Sequence, residues 1–141
     1  METRPAISRD VSSLAHLMTE LGYPTSTEEM AARMAALVDR TDHAVFVAVE
    51  GALAAGMIAL STSPSLYRDD PQGAIVALVV SSRFRGRGVG ALLVECGESW
   101  LRQNGVCHVT VKPSVHREDA HRLYIRLGYE HTGLRFSKNL D

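Results

Sequence analysis

A chain of 141 residues, 45% hydrophobic and 22% charged, has the size and composition of one globular domain, able to bury about 70% of the surface its unfolded form exposes. A net charge of −1 argues against the broad basic face of a general nucleic-acid binder, yet it allows a local anion site built from backbone dipoles. Cys96 and Cys107 form no Cys-x-x-Cys pair, which speaks against a disulfide framework and a zinc knuckle; both sit among apolar residues and are expected to be buried, inert thiols. No apolar run approaches about 18 residues. The N-terminal residues lack the apolar core of a signal peptide, so no membrane association is read and the cytoplasm is the expected location.

Taken in chain order, Arg4–Ile7 reads as a short first strand. Asp10 is a good N-cap and opens a helix whose Val11, Leu14, Met18 and Leu21 recur at helical spacing, until Gly22-Tyr23-Pro24 stops it. Ser26 and Glu29 form a capping box for a second helix, with Met30, Met34, Leu37 and Val38 on one face and an end near Asp39. Ala44–Val49 reads as a buried strand, Glu50-Gly51 as a turn and Leu53–Leu60 as the returning partner. Ser61–Gln72 is a polar loop. Gly73–Val80 is almost continuously apolar and rich in branched residues, the pattern of a central strand buried on both faces. After Arg85–Gly90 a helix is predicted from Val89, Leu92, Leu93, Cys96 and Trp100, with Asn104-Gly105 as its end. Val106–Val111 is a further strand. Ala120, Leu123, Tyr124 and Leu127 share one side of a last helix that stops at Gly128, and Tyr129–Phe136 fills a terminal strand or hairpin. This order predicts a mixed α/β sheet with helices on both faces, in one domain over residues 1–141.

The strongest local signal is the strand ending at Val80, the loop through Gly90 and the helix directly after it. Gly86, Gly88 and Gly90 remove the Cβ atoms that keep a ligand off the backbone. The first-turn amides of the helix lack intrahelical acceptors and sit at the positive end of its dipole, so a pyrophosphate can accept several hydrogen bonds there. Such bonds are each worth roughly 1.5–3 kcal/mol. Arg83, Arg85 and Arg87 add positive charge beside the loop. The alternative is that the glycines only shape a turn. The segment is not a P-loop, having no Gly-Lys-Ser/Thr, and its glycine spacing departs from the dinucleotide-binding fingerprint.

Leu78-Val79-Val80 followed by Arg85-Gly86-Arg87-Gly88-Val89-Gly90-Ala91 resembles the acetyl-CoA motif of the GCN5-related N-acetyltransferase (GNAT) family, Arg/Gln-x-x-Gly-x-Gly/Ala. Asp119 to Tyr129, reading DAHRLYIRLGY, resembles that family's later Ala-x-x-Leu/Phe-Tyr-x-x-Leu-Gly-Phe/Tyr motif. The resemblance implies a GNAT fold: a central sheet of about six to seven strands, splayed at the acetyl-CoA site between the strand ending at Val80 and the strand after Cys107, with about four flanking helices. It implies that the backbone at Leu78, Val79 and Val80 pairs with the pantetheine arm, and that Arg85, Gly86, Arg87, Gly88, Val89, Gly90 and Ala91 hold the pyrophosphate. It further implies that Ala120 borders the cofactor and that Tyr124 is the general acid that protonates the departing CoA sulfur. Where many members carry an Asn contacting the pantetheine arm, this chain has Arg117, whose guanidinium reaches CoA phosphate or leaves that contact unmade.

The implied reaction moves an acetyl group from acetyl-CoA to an amine, with no metal. A lysine-like amine, with a pKa of about 10.4, is mostly charged at pH 7, so a base or a desolvating pocket assists. The leaving thiolate gains from a proton donor. Tyr124 is such a donor or, on its helix face alone, a core aromatic beside Leu123 and Leu127. Gly73–Val80 carries no ionisable side chain, which leaves the base unassigned; His116 is a candidate that titrates near neutrality, and a solvent-exposed loop histidine is the alternative. Tyr23, between the first two helices, and Tyr67, in the Ser61–Gln72 loop, are candidate acceptor contacts, with surface packing as the alternative. The acceptor classes left open are a small-molecule amine, an aminoglycoside-like antibiotic, a peptide N-terminus and a protein lysine. A non-catalytic acyl-CoA sensor and a phosphate-binding protein of another family are the competing functions. An open sheet edge in a small domain is compatible with a homodimer.

Overall fold

The computed structural model describes residues 1–111, 118–133 and 136–140, which divide into two compact units, Met1–Val111 and Lys112–Asp141. The first unit holds β1 (Glu2–Pro5), α1 (Val11–Leu21), α2 (Thr27–Ala35), β2 (His43–Glu50), β3 (Leu53–Ser63), β4 (Gln72–Val80), α3 (Val89–Gln103) and β5 (Val109–Val111). The second holds α4 (Glu118–Arg126). The sheet runs β1-β2-β3-β4-β5, antiparallel throughout except for the parallel pair β4–β5. The architecture is the mixed α/β sheet that the sequence predicts, with five strands among the described residues rather than six or seven. Residues 129–133 and 136 form no strand.

Strand alternation sends neighbouring residues to opposite sheet faces. One face carries Val47, Val49, Met57 and Val79, which cluster with Leu14, Ala15 and Leu17 of α1 and Met30 of α2. The other face carries Gly56, Ile58 and Leu60 and receives α3. Contact there is close. A Cβ on Gly97 would stand 2.9 Å from Ile58 Cδ1 and Leu60 Cδ2, so glycine lets the helix lie flat on β3. The buried stripe of α3 is Val89, Leu93, Val94, Gly97 and Leu101, rotated from the expected one and leaving Leu92, Cys96 and Trp100 half-buried.

Several boundaries differ from expectation for local reasons. Asp10 does not cap α1 with its side chain. Its carboxylate accepts the Ile7 N–H at 2.8 Å and a two-pronged pair from Arg4 at 2.8 and 3.0 Å, closing a 3₁₀ turn ahead of the helix. Ser26 and Glu29 do form the expected capping box, but α2 ends at Ala35 and its remaining residues coil through single turns, Met34 to Leu37 and Leu37 to Arg40. β3 runs on through Ser61, Thr62 and Ser63, which pair with Ala74, Gly73 and Gln72. The chain leaves α3 through Gly105, at φ +82°, where the Val106 N–H reaches back to the Leu101 carbonyl. This cap holds Val106 buried outside any strand, so β5 begins only at Val109, and Cys107 is exposed rather than buried.

Candidate active site

β4 is not uniformly buried. The β3–β4 register shifts between Ala59 and Leu60, which face Ala77 and Ile75, so Val76 is an extra residue bulged out of the ladder and 57% exposed. β5 pairs with β4 only at Gly73, Ala74 and Ile75. From Val76 onward, β4 has β3 on one side and, among the described residues, no ladder on the other. The Ser81 N–H donates to the Ala55 carbonyl at 2.8 Å, which fixes the alternation: Ser81, Val79 and Ala77 turn their backbone groups toward β3. The N–H and C=O groups of Leu78 and Val80 therefore face the open edge. Arg85 Nε, 3.4 Å from the Val80 carbonyl, approaches from that side.

The strand passes through a 3₁₀ turn (Ser82–Phe84) into the glycine segment. Gly86 and Gly88 have φ of +77° and +80°, conformations that L side chains rarely adopt, and among the described residues a Cβ on either would meet nothing within 4 Å. Their requirement is thus conformational. Gly88 is the N-cap of α3, whose first intrahelical bond runs from the Leu92 N–H to the Gly88 carbonyl at 3.1 Å. The amides of Val89, Gly90 and Ala91 precede that bond and have no acceptor within the helix. Arg87 lies over the Phe84 ring, 5.0 Å from its centroid, and 3.4 Å from both carboxylate oxygens of Glu50. Arg83 turns elsewhere, lining a cleft of about 350 Å³ with Ser12, Ser13 and His16 of α1, Ala52 of the β2–β3 turn and Leu53 and Ala54 at the start of β3.

The three loop arginines therefore do not converge on one point: one leans on the strand carbonyl, one on Glu50, and one faces the cleft against α1. What the loop presents together is backbone, the amides ahead of the first intrahelical bond of α3, rather than a cluster of guanidinium groups.

In the second unit, Tyr124 is 6% exposed on α4 and meets Tyr129 edge-on, with ring centroids 5.5 Å apart. The helix closes at Gly128, φ +93°, with the Tyr129 N–H returning to the Tyr124 carbonyl at 2.9 Å. Ala120 lies half-buried on the same helix. His116 and Arg117 lie outside the described residues. Tyr23 is 58% exposed in the α1–α2 connection, and Tyr67 is 90% exposed after β3, where its N–H donates to Ser65 Oγ. Asp70 is taken up by Arg68 at 3.0 Å.

One residue emerges only in three dimensions. Glu20, near the end of α1, accepts the Ser82 N–H on Oε1 at 3.3 Å, across 62 positions of chain. Its Oε2 is buried and is the one such side-chain atom without a hydrogen-bond partner among the described residues. Burial pushes this carboxyl upward, but the hydrogen bonding to Ser82, with His16 and Arg85 nearby, outweighs that and leaves it below the ordinary glutamate value. The sequence offers a faint signal, an acidic residue three positions after core Leu17 and four after His16. Its partner across the fold is not written in any local pattern.

The sequence profile of the acetyltransferase (GNAT) family matches residues 11–129. An aminoalkylphosphonate N-acetyltransferase of Salmonella typhimurium is 32% identical, covering 99% of this chain and 91% of that protein. Among solved structures, a putative acetyltransferase from Agrobacterium tumefaciens superposes with a TM-score of 0.88 at 24% identity, covering 99% of both chains. An aminoglycoside N-acetyltransferase in complex with CoA superposes with a TM-score of 0.88 at 18% identity, over 99% of this chain and 95% of that one. With the profile spanning most of the chain and a relative matched almost end to end, the chain belongs to the GNAT family of N-acetyltransferases.

Proposed function

We propose that the protein transfers the acetyl group of acetyl-CoA directly to a primary amine of a small acceptor, with residues 1–141 acting as one catalytic domain. The observation that carries this reading is the edge of β4 at Leu78 and Val80, which has no strand partner among the described residues and runs into the positive-φ glycines and the first-turn amides of α3. A pantetheine arm has amide groups spaced to add to that edge like a strand. The pyrophosphate then accepts from the amides between Gly86 and Ala91 at the helix start. The fit rests on backbone groups and open space, so it tolerates the dispersed arginines.

Tyr124 serves as general acid in this reading. A phenol with a pKa of about 10 is protonated at neutral pH and matches a thiolate whose conjugate acid lies near 8.5. Acceptor choice is guided by the Salmonella relative, whose name specifies aminoalkylphosphonates, and by the aminoglycoside enzymes of the same fold. Both classes are small amines. The test is release of free CoA thiol from acetyl-CoA in the presence of 2-aminoethylphosphonate, sisomicin and a lysine-bearing peptide. Amine-dependent release supports the reading. Acetyl-CoA binding without release on any amine would refute it as an enzyme mechanism.

A further inference from the structure

We propose that the cleft between the first half of α1 and the Ser82–Phe84 turn is a second ligand site, for a small organic phosphate or phosphonate. The inference goes beyond acetyl transfer and does not depend on it.

The cleft has a volume of about 350 Å³, at the low end of the range for small-molecule sites. Its lining side chains include one guanidinium, Arg83, and one imidazole, His16, and among the described residues no carboxylate. Arg83 is the loop arginine left over. Arg85 is directed to the Val80 carbonyl and Arg87 to Glu50, whereas the Arg83 side chain makes no hydrogen bond or ion pair among the described residues. Ser12 and His16 stand four residues apart on α1 and Ser13 three before His16, so all three side chains share the helix face that lines the cleft with Arg83. Buried Leu17 and Phe84, with Leu53 beside them, add an apolar wall.

This set of groups selects the ligand. A guanidinium fork takes two oxygens of an anion at once. A tetrahedral phosphate or phosphonate has a third terminal oxygen for the hydroxyl and imidazole donors of α1, which a planar carboxylate lacks. The apolar wall suits a short hydrocarbon body on that head group. Glu20, one turn beyond His16, does not line the cleft, and its Oε1 is held by the Ser82 N–H. Its charge opposes an anion nearby, so the affinity is modest. The place is also separate from the rest of the site: among the described residues, none from 85 to 91 and none of α2 or the 22–26 connection lines it.

The experiment is calorimetric titration of n-butyl phosphate into wild type and Arg83→Gln, with n-butylammonium as the opposite charge. Amide chemical shifts in the wild type locate the ligand. The site predicts saturable n-butyl phosphate binding with a Kd on the order of 1 mM, and none of n-butylammonium. Arg83→Gln, a surface change that the fold tolerates, is expected to weaken it about tenfold or more, the scale of a lost bond to a charged group. The shifted amides should be those of Ser12, Ser13, His16 and Arg83. Shifts confined to Val89, Gly90 and Ala91 would place the anion at the start of α3 and overturn the inference. So would an unchanged affinity in Arg83→Gln, equal binding of n-butylammonium, or no saturable binding by the wild type.

Discussion

The glycine loop and the junction of α1 with Ser82 meet at the end of the same strand but are built from opposite materials. Residues 86–91 offer backbone: two glycines at positive φ, a helix start and three amides ahead of the first intrahelical bond. The α1 junction offers a side chain, one carboxylate held by an amide 62 residues away. On the proposed reading the first takes the cofactor, and it depends on conformation. The second depends on a single functional group, which one substitution can neutralise without altering the backbone. Disturbing the first should abolish binding of acetyl-CoA; neutralising the second should leave that binding in place.

The largest effect is expected from Gly88→Val, which breaks the backbone site directly. A branched residue resists φ of +80° and turns the helix-start amides away, so several hydrogen bonds of roughly 1.5–3 kcal/mol each are lost. Calorimetric affinity for acetyl-CoA should fall more than about 100-fold. An unaltered affinity would show that the loop conformation is not what binds the pyrophosphate.

Next in size, Tyr124→Phe should lower kcat by about 100-fold, the scale of a lost general acid, while acetyl-CoA binds as before. A weakened affinity with unchanged kcat would return Tyr124 to the aromatic packing it shares with Tyr129.

A smaller effect sharpens the contrast between backbone and side chain at the loop. Arg87 is already engaged by Glu50 and Phe84, so Arg87→Ala should weaken acetyl-CoA by less than about fivefold. A larger loss would mean that the arginine leaves Glu50 and takes part of the phosphate load itself.

The smallest expected effect on activity is at Asp10, whose role is confined to the fold. The hydrogen bond from Arg4 is the main force holding its carboxyl below the ordinary aspartate value. A depressed folded-state value stabilises the protein above the unfolded pKa of about 3.9 and is lost as pH falls through the folded value. Asp10→Asn should therefore flatten the loss of thermal stability at acid pH and leave neutral-pH kinetics unchanged. A kinetic defect at pH 7 would tie the 3₁₀ turn before α1 to the site.

The same contrast governs what the sequence discloses. Glycine spacing, a branched apolar strand and a helix start are local, and they located the glycine loop, the boundaries of α3 and the order of elements along the chain. The strand bulge at Val76 was hidden because Gly73–Val80 is apolar without interruption; register arises only when β3 is laid alongside. The stripe on α3 was displaced by one position in the helical wheel because Gly97, silent in an apolar count, supplies the closest approach to β3. Cys107 looked buried because Val106 and Val109 flank it, whereas the cap at Gly105 delays the strand and turns the thiol outward. Glu20 was invisible for the most basic reason: the group that defines it, Ser82, is distant in sequence, and a lone glutamate on an amphipathic helix has the appearance of solvated surface.

The measurement that tests the central claim most directly is isothermal titration of acetyl-CoA into the wild-type protein. A strand edge completed by the pantetheine arm and a pyrophosphate on the α3 amides predict saturable one-to-one binding with a Kd on the order of micromolar, near about −8 kcal/mol. No saturable binding would contradict the account at its foundation.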